Sequence, residues 1–213
     1  MKTDELIGML STGISPVRYS TLLWRVAAAV GITLAGAFVL MLAVFGLRPD
    51  LSSVSTTPLF WGKVAFPVVL AAGAWLTTLR LSRPGSRIRL LWLSLILPVL
   101  AVWVTAALWL SHTQFDNWPA MFLGQSWKTC PFNILLLSVP GFIVIFKTMR
   151  TLAPTHLRLA GAASGLLAGA MATVVYCLHC PEMSPAFWGI WYLLGMLLPT
   201  GAGALLGQRL LRW

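Results

Sequence analysis

The sequence predicts an all-α fold, an integral membrane bundle of six transmembrane helices with both termini in the cytoplasm. Three observations lead there. First, only 9% of the 213 residues are charged while 58% are hydrophobic. Soluble domains carry about 25% charged residues, so this inventory cannot cover a water-facing surface. Second, six apolar runs approach or reach the roughly 20 residues that a helix needs to cross a hydrocarbon core about 30 Å thick. Backbone groups in lipid must be bonded within their own segment, which makes the runs helices. Third, the 15 basic residues divide unequally when assigned to alternate sides of six spans.

The chain opens with a segment over residues 1–25, followed by a membrane domain over 26–213. In MKTDELIGML, Thr3 is placed to cap a short helix, with Asp4 and Glu5 favourably set against its N-terminal dipole. Leu6, Ile7, Met9 and Leu10 give that helix an apolar face. Thr12–Gly13 and Ser15–Pro16 then interrupt the pattern. Such a helix either lies on lipid headgroups or inserts its apolar face into a cytoplasmic partner. Its scarcity of basic residues leans toward the partner.

The first span is expected over Val26–Leu47, and its length marks an uncleaved anchor rather than a signal peptide. The others are expected over Leu59–Leu79, Leu90–Leu110, Pro131–Phe146, Leu159–Leu178 and Phe187–Leu206. The fourth is short. Pro67, Pro98, Pro140 and Pro199 fall inside spans, where neighbouring groups can bond the carbonyls that proline leaves free. Gly161, Gly165 and Gly169 recur every four residues in the fifth span, and Gly203 and Gly207 follow in the sixth. Small residues in register let helix backbones approach closely in lipid, so these glycines are read as packing.

The connections then alternate sides. Lys2, Arg18, Arg25, Arg80, Arg83, Arg87, Arg89, Lys147, Arg150, Arg158, Arg209 and Arg212 fall on the side of the termini. Only Arg48, Lys63 and Lys128 fall on the other, and Lys63 is expected to snorkel to its end of the span. This is the asymmetry of the positive-inside rule. It accounts for the net charge of +10 without nucleic acid as a partner, and no basic patch interleaved with aromatics appears. No acidic residue, Arg or His stands mid-span, which disfavours ion-coupled transport. Phosphate loops, nucleophile elbows and paired histidine motifs are absent.

Chemistry concentrates in the outward connections Arg48–Pro58, Ser111–Cys130 and His179–Ala186. All three cysteines lie there or nearby: Cys130 where the fourth span begins, Cys177 near the end of the fifth, and Cys180 in YCLHCPE. On an oxidising side a disulfide can persist. Three readings stand open. Cys130 and Cys180 form a reversible disulfide or are oxidised separately. Alternatively, Cys130, Cys177, Cys180 and His179, with His112 and Glu182, bind a soft metal such as Zn or Cu(I), although CxxC alone is a weak signal. Or Cys177 is a small apolar side chain packed between helices, which is the favoured reading for that residue. Cys130 and Cys180 are each followed by proline, which is expected to leave their sulfurs accessible at helix boundaries. A thiolate on Cys130 would be favoured by the helix N-terminus. A disulfide-generating enzyme normally needs two cysteine pairs, and this chain has three cysteines.

MKTDELI, the six spans, TCPF, and the order of LRLAGAASGLLAGAMATVVYCLHCPE, WYLLGMLLP and GQRLLRW together resemble the negative regulator of sigma-F (NrsF) family. That resemblance implies a multi-pass inner-membrane anti-sigma factor of bacteria, not an enzyme. Its partners would be an extracytoplasmic-function sigma factor and the bilayer. The resemblance maps two periplasmic sensing cysteines onto Cys130 and Cys180, with oxidant or heavy-metal stress as the signal class. It implies no resident cofactor beyond transient soft-metal binding at Cys130 and Cys180. The N-terminal segment, through Asp4, Glu5, Leu6, Ile7 and Leu10, is the sigma-contacting candidate. A membrane thiol oxidoreductase or metal-handling enzyme is the second reading, and a small transporter the third.

Overall fold

The computed structural model describes residues 3–12, 19–82, 91–152 and 154–212. Its elements, all helical, are α1 (Thr3–Ser11), α2 (Tyr19–Val44), α3 (Leu51–Val54), α4 (Pro58–Leu81), α5 (Leu91–Ser111), a 3₁₀ turn (Phe115–Asn117), α6 (Trp118–Leu123), α7 (Cys130–Arg150), α8 (Leu157–Tyr176), α9 (Pro185–Phe187), a π turn (Trp188–Tyr192) and α10 (Leu193–Leu210). Six stretches are long and apolar enough to cross a membrane: Leu23–Val44, Pro58–Leu81, Leu91–Ser111, Cys130–Arg150, Leu157–Tyr176 and Pro185–Leu210. They are the six expected, with shifted ends.

The shifts have local causes. The first span, α2, ends at Val44 because Gly46 takes a left-handed φ of 74°, and its amide turns back to the Met41 carbonyl. This is a glycine helix stop. The fourth span is not short, because α7 continues through Lys147 to Arg150. Hydropathy stops at the first charge, whereas cations in a last turn favour the helix through its dipole. The sixth span gains a start at Pro185 and contains the π turn over Trp188–Tyr192, a local widening often found where a helix carries function.

Helix α8 is the axis of the bundle. It packs on α10, α4, α7 and α2, and Ala160, Gly161, Ser164, Gly165, Ala168, Gly169 and Ala172 are buried along it. Apolar burial supplies little drive between helices in lipid, so close backbone contact must hold them together. The glycines meet this need as expected. A Cβ on Gly161 would overlap the Gly203 carbonyl, one on Gly165 the Pro199 carbonyl, and one on Gly207 the Leu157 carbonyl. Helix α5 is peripheral. It leans on α4 and α9 and exposes Trp92, Leu97, Leu100, Trp103, Val104 and Leu108, a surface compatible with lipid.

Two further expectations meet the structure here. Lys63 does not snorkel: it is completely buried in α4, and its ammonium turns into the bundle. At the amino end, α1 forms and ends where Thr12 Oγ1 donates to the Met9 carbonyl at 2.6 Å. Leu6 and Met9 are exposed. Lys2, Gly13, Ser15, Pro16, Arg18, Arg83, Arg87 and Arg89 lie outside the described residues, as do the side chains of Ile7 and Leu10.

Candidate functional site

The three thiols come from two helix ends that meet. Cys130 opens α7. Its amide bonds the Ser126 carbonyl at 2.9 Å, and Pro131 follows in the first turn, where a missing N–H costs nothing. Past the end of α8, the Tyr176 carbonyl accepts from the amides of both His179 and Cys180 at 3.0 Å. That turn folds Cys177 and Cys180 back toward α7 before Pro181 prevents further helix. All three cysteines are free and buried, in one cluster with Ile134, Tyr176, Phe187, Trp188, Tyr192 and Met196.

The burial corrects the expectation that proline would leave the Cys130 and Cys180 sulfurs accessible, since both are 0% exposed. The connections at this end of the bundle form a lid. Trp127 and Trp191 lie with ring centroids 5.3 Å apart. Trp191 Nε1 donates to the Phe122 carbonyl at 2.7 Å, and Trp188 Nε1 donates to the Glu182 carbonyl at 3.2 Å. Cys177 matches its packing reading, also at 0% exposure. Burial pushes its thiol up to about 12. Its S–H donates to the Lys63 carbonyl at 3.7 Å. Pro67, four residues on, has no amide to offer that carbonyl, so the thiol takes a bond the helix cannot make.

The soft-metal set is one of the three readings that the sequence leaves open. Among the described residues, no three of His, Cys, Asp and Glu are grouped to hold a metal ion. His179 Nδ1 donates to the Gly46 carbonyl at 3.0 Å, with the ring between Phe45 and Tyr176. His112 is exposed in the turn after α5. The Glu182 carboxylate accepts from the Gln125 amide at 2.6 Å and from the Ser126 amide at 3.2 Å. It clasps the connection between α8 and α9 to the one between α6 and α7. Gly124, with φ 53° and ψ −157°, sits against that carboxylate, where any Cβ would collide with it.

Sequence reasoning missed the cations of this site. Arg48 is buried, and it grips Asp50 through Nε at 2.7 Å and Nη2 at 2.6 Å. This two-point pairing lowers the Asp50 carboxyl below 3.8 and raises the guanidinium. Arg48 Nη1 also donates to the Cys180 carbonyl at 3.2 Å. Lys63 Nζ donates to that same carbonyl at 2.6 Å and stands 5.9 Å from the Tyr192 ring centroid. A lone charge inside an apolar run is by default a functional candidate, and that signal was present at Lys63. Asn133 Nδ2 reaches the Tyr176 hydroxyl at 3.4 Å, and Ser126 Oγ lies 3.9 Å from Cys180 Sγ.

Fold and site define an all-helical protein with six helices apolar enough to cross a membrane and a closed thiol cluster at one end of its bundle. The profile of the family described as "Negative regulator of sigma F" matches residues 10–213. Over the full length of both chains, this one is 49% identical to a probable anti-sigma-F factor NrsF of Azospira oryzae. It is 34% identical, again over the full length of both, to the anti-sigma-F factor NrsF of Caulobacter vibrioides. The chain belongs to the negative regulator of sigma F family. No solved structure matches it.

Proposed function

We propose that this protein is an anti-sigma factor of the bacterial inner membrane, with both termini in the cytoplasm. It holds an extracytoplasmic-function sigma factor inactive and releases it when an oxidant or heavy metal reaches Cys130 and Cys180 from the periplasm. Full-length identity to two anti-sigma-F factors supports the regulatory role over an enzymatic one. The observation that carries the sensing half is the convergence of Cys130 and Cys180, 50 residues apart in sequence, in one buried cluster. Each stands at the end of a long helix, α7 or α8, that runs to the opposite face of the bundle.

Such a site couples chemistry to packing. A disulfide, an oxidised sulfur or a bound soft ion changes volume and charge in a core that is already filled, and dense cores transmit strain. Helices α7 and α8 lead to the inner connection Lys147–Arg158. On the same side α1 presents Leu6 and Met9 uncovered, with Asp4 and Glu5 exposed in its first turn. An apolar stripe with acidic neighbours suits a groove on a basic partner. Moving the sigma factor from 99% bound to 99% free takes about 5.5 kcal/mol of differential affinity.

The test is capture of the sigma factor by the full-length protein in mild detergent, before and after oxidant. Deleting residues 1–12 is expected to abolish capture. Cys130→Ser and Cys180→Ser are expected to capture the sigma factor normally and to keep it after oxidant. Normal release by both serine variants would refute thiol sensing, and undiminished capture by the deletion would refute the role of α1.

A further inference from the structure

Helices α4 and α5 meet at one end and part at the other. A Cβ on Gly73 would stand 2.9 Å from Ser94 Oγ and 3.0 Å from Leu95 Cδ2, so the two helices nearly touch there. From Val69 and Leu97 outward they enclose a groove of about 860 Å³ that runs to Pro58, Trp109 and Pro185. Small residues set its width, Gly62 and Ala65 on α4 and Ala101 on α5. A Cβ on Gly62 would meet nothing within 4 Å. The floor is Phe66, Val102 and Trp188, all buried members of the thiol cluster. Thr105, the hydroxyl on the walls, spends its proton on the Val102 carbonyl of its own helix at 2.8 Å. The groove therefore offers a ligand apolar contact.

Its dimensions select the occupant. Both walls belong to stretches long and apolar enough to cross a membrane, so the groove opens on hydrocarbon. From Pro58 to Val69 the helix rises about 17 Å at ~1.5 Å per residue. One leaflet, half of a hydrocarbon core, is about 15 Å deep. Trp61 and Trp109 are exposed beside the mouth, and indole rings favour the membrane–water boundary. The volume spread over that length leaves a section of about 50 Å². A helix about 10–12 Å across needs roughly 80–110 Å², so a helix of a second copy is too thick and an extended hydrocarbon chain fits. Closure at Gly73 stops a chain longer than one leaflet, which disfavours a long polyisoprenoid tail. A second, independent observation lies at the mouth. Ser184 Oγ, on the residue before Pro185, is buried and has no hydrogen-bond partner. It is a donor beside the place where an acyl chain would carry its ester.

We propose that the groove between α4 and α5 binds one acyl chain of a membrane phospholipid, with the ester at the mouth beside Ser184. Its size and its apolar lining are those of a small-molecule site. The chain supplies the van der Waals contacts that the open side of Phe66, Val102 and Trp188 lacks. Trp188 also donates to the Glu182 carbonyl, so the bound chain steadies a ring that helps to close the thiol cluster. The lipid is thereby part of the wall between the bilayer and the sulfurs. This rests on the membrane reading above and not on thiol sensing.

The test is photolabelling of the full-length protein in phosphatidylcholine nanodiscs, with a minor fraction of the lipid carrying a diazirine midway along one acyl chain. Peptide mass spectrometry is expected to find label on Ala65 and Ala101 at tenfold or more over Leu100, Val104 and Leu108, which are exposed on α5. Gly62→Phe, whose ring enters open space, should cut the groove label at least tenfold. Ala107→Phe, on α5 but outside the groove, should leave it unchanged. Even labelling along α5 in the wild type overturns the proposal without any variant needing to fold, and undiminished groove label in Gly62→Phe overturns it equally. Native mass spectrometry of protein extracted from cells should show one phospholipid retained per chain. An isoprenoid quinone or a second copy of the chain held in its place overturns the assignment. Alkaline carbonate washing of cell membranes is read separately. Protein that washes off overturns the membrane reading and the groove together, whereas evenly labelled protein that stays overturns the groove alone.

Discussion

Gly165→Ala adds one methyl group to one of the tightest contacts between α8 and α10. The new Cβ would overlap the Pro199 carbonyl oxygen and lie 3.1 Å from the Thr200 Cα. Both obstacles are backbone atoms of α10, so no side-chain rotation relieves them and the helices must separate. Overpacking of a filled core costs typically about 1–3 kcal/mol, and backbone against backbone belongs near ~3. Alanine returns about 1 kcal/mol of helix propensity over glycine. The net loss is about 2 kcal/mol, or roughly thirty-fold in the folding equilibrium. Gly201→Ala on α10 is the control, because nothing lies within 4 Å of its new Cβ. It should be neutral or up to about 1 kcal/mol stabilising. Denaturant titration in detergent, followed by tryptophan fluorescence, measures both. A Gly165→Ala protein as stable as Gly201→Ala would refute close backbone contact as what holds α8 to α10.

Three other outcomes follow from the thiol end of the bundle. The Cys177 thiol, pushed by burial up to about 12 from 9.0, is raised in the folded state. Its contribution is thus complete below pH 9.0 and is lost as pH rises toward 12, at about 1.4 kcal/mol per pH unit. Cys177→Ala should flatten alkaline denaturation in that window. Asp50 is lowered from 3.8 by its bond to Arg48, so its contribution holds above pH 3.8 and is lost as pH falls through its folded value. Asp50→Asn should remove that acid limb, as read by melting temperature against pH. Glu182→Ala removes the carboxylate acceptor of the exposed Gln125 amide and the half-buried Ser126 amide, where a hydrogen bond to a charged group is worth about 1.5 kcal/mol. Hydrogen exchange should accelerate at Gln125 and Ser126 by tenfold or more, while α8 and α10 keep their protection.

Legibility in sequence followed the range of the interaction concerned. Apolar runs reveal helices because spanning and backbone bonding are properties of one segment at a time. The glycines of α8 were readable for the same reason, since a four-residue repeat places them on one helix face. End positions slipped where a short-range competitor acted, as at Gly46 and at Lys147–Arg150. The thiols were located in sequence, but their exposure was misjudged. Proline sets the backbone next to Cys130 and Cys180, whereas Trp127, Trp188 and Trp191 from other segments decide whether water reaches them. His179 and Glu182 look like ligands beside Cys180, yet their partners are Gly46 and Gln125–Ser126.

By itself the sequence determined six lipid-length helices, the α8–α10 packing face and the gathering of thiols toward one end, because composition and period act within a single segment. Only the tertiary structure decided that Lys63 turns inward to the Cys180 carbonyl, 117 residues away, and that three sulfurs lie closed beneath a tryptophan lid. The direction of a side chain is settled by the helices that surround it, and those neighbours exist only once the chain has folded.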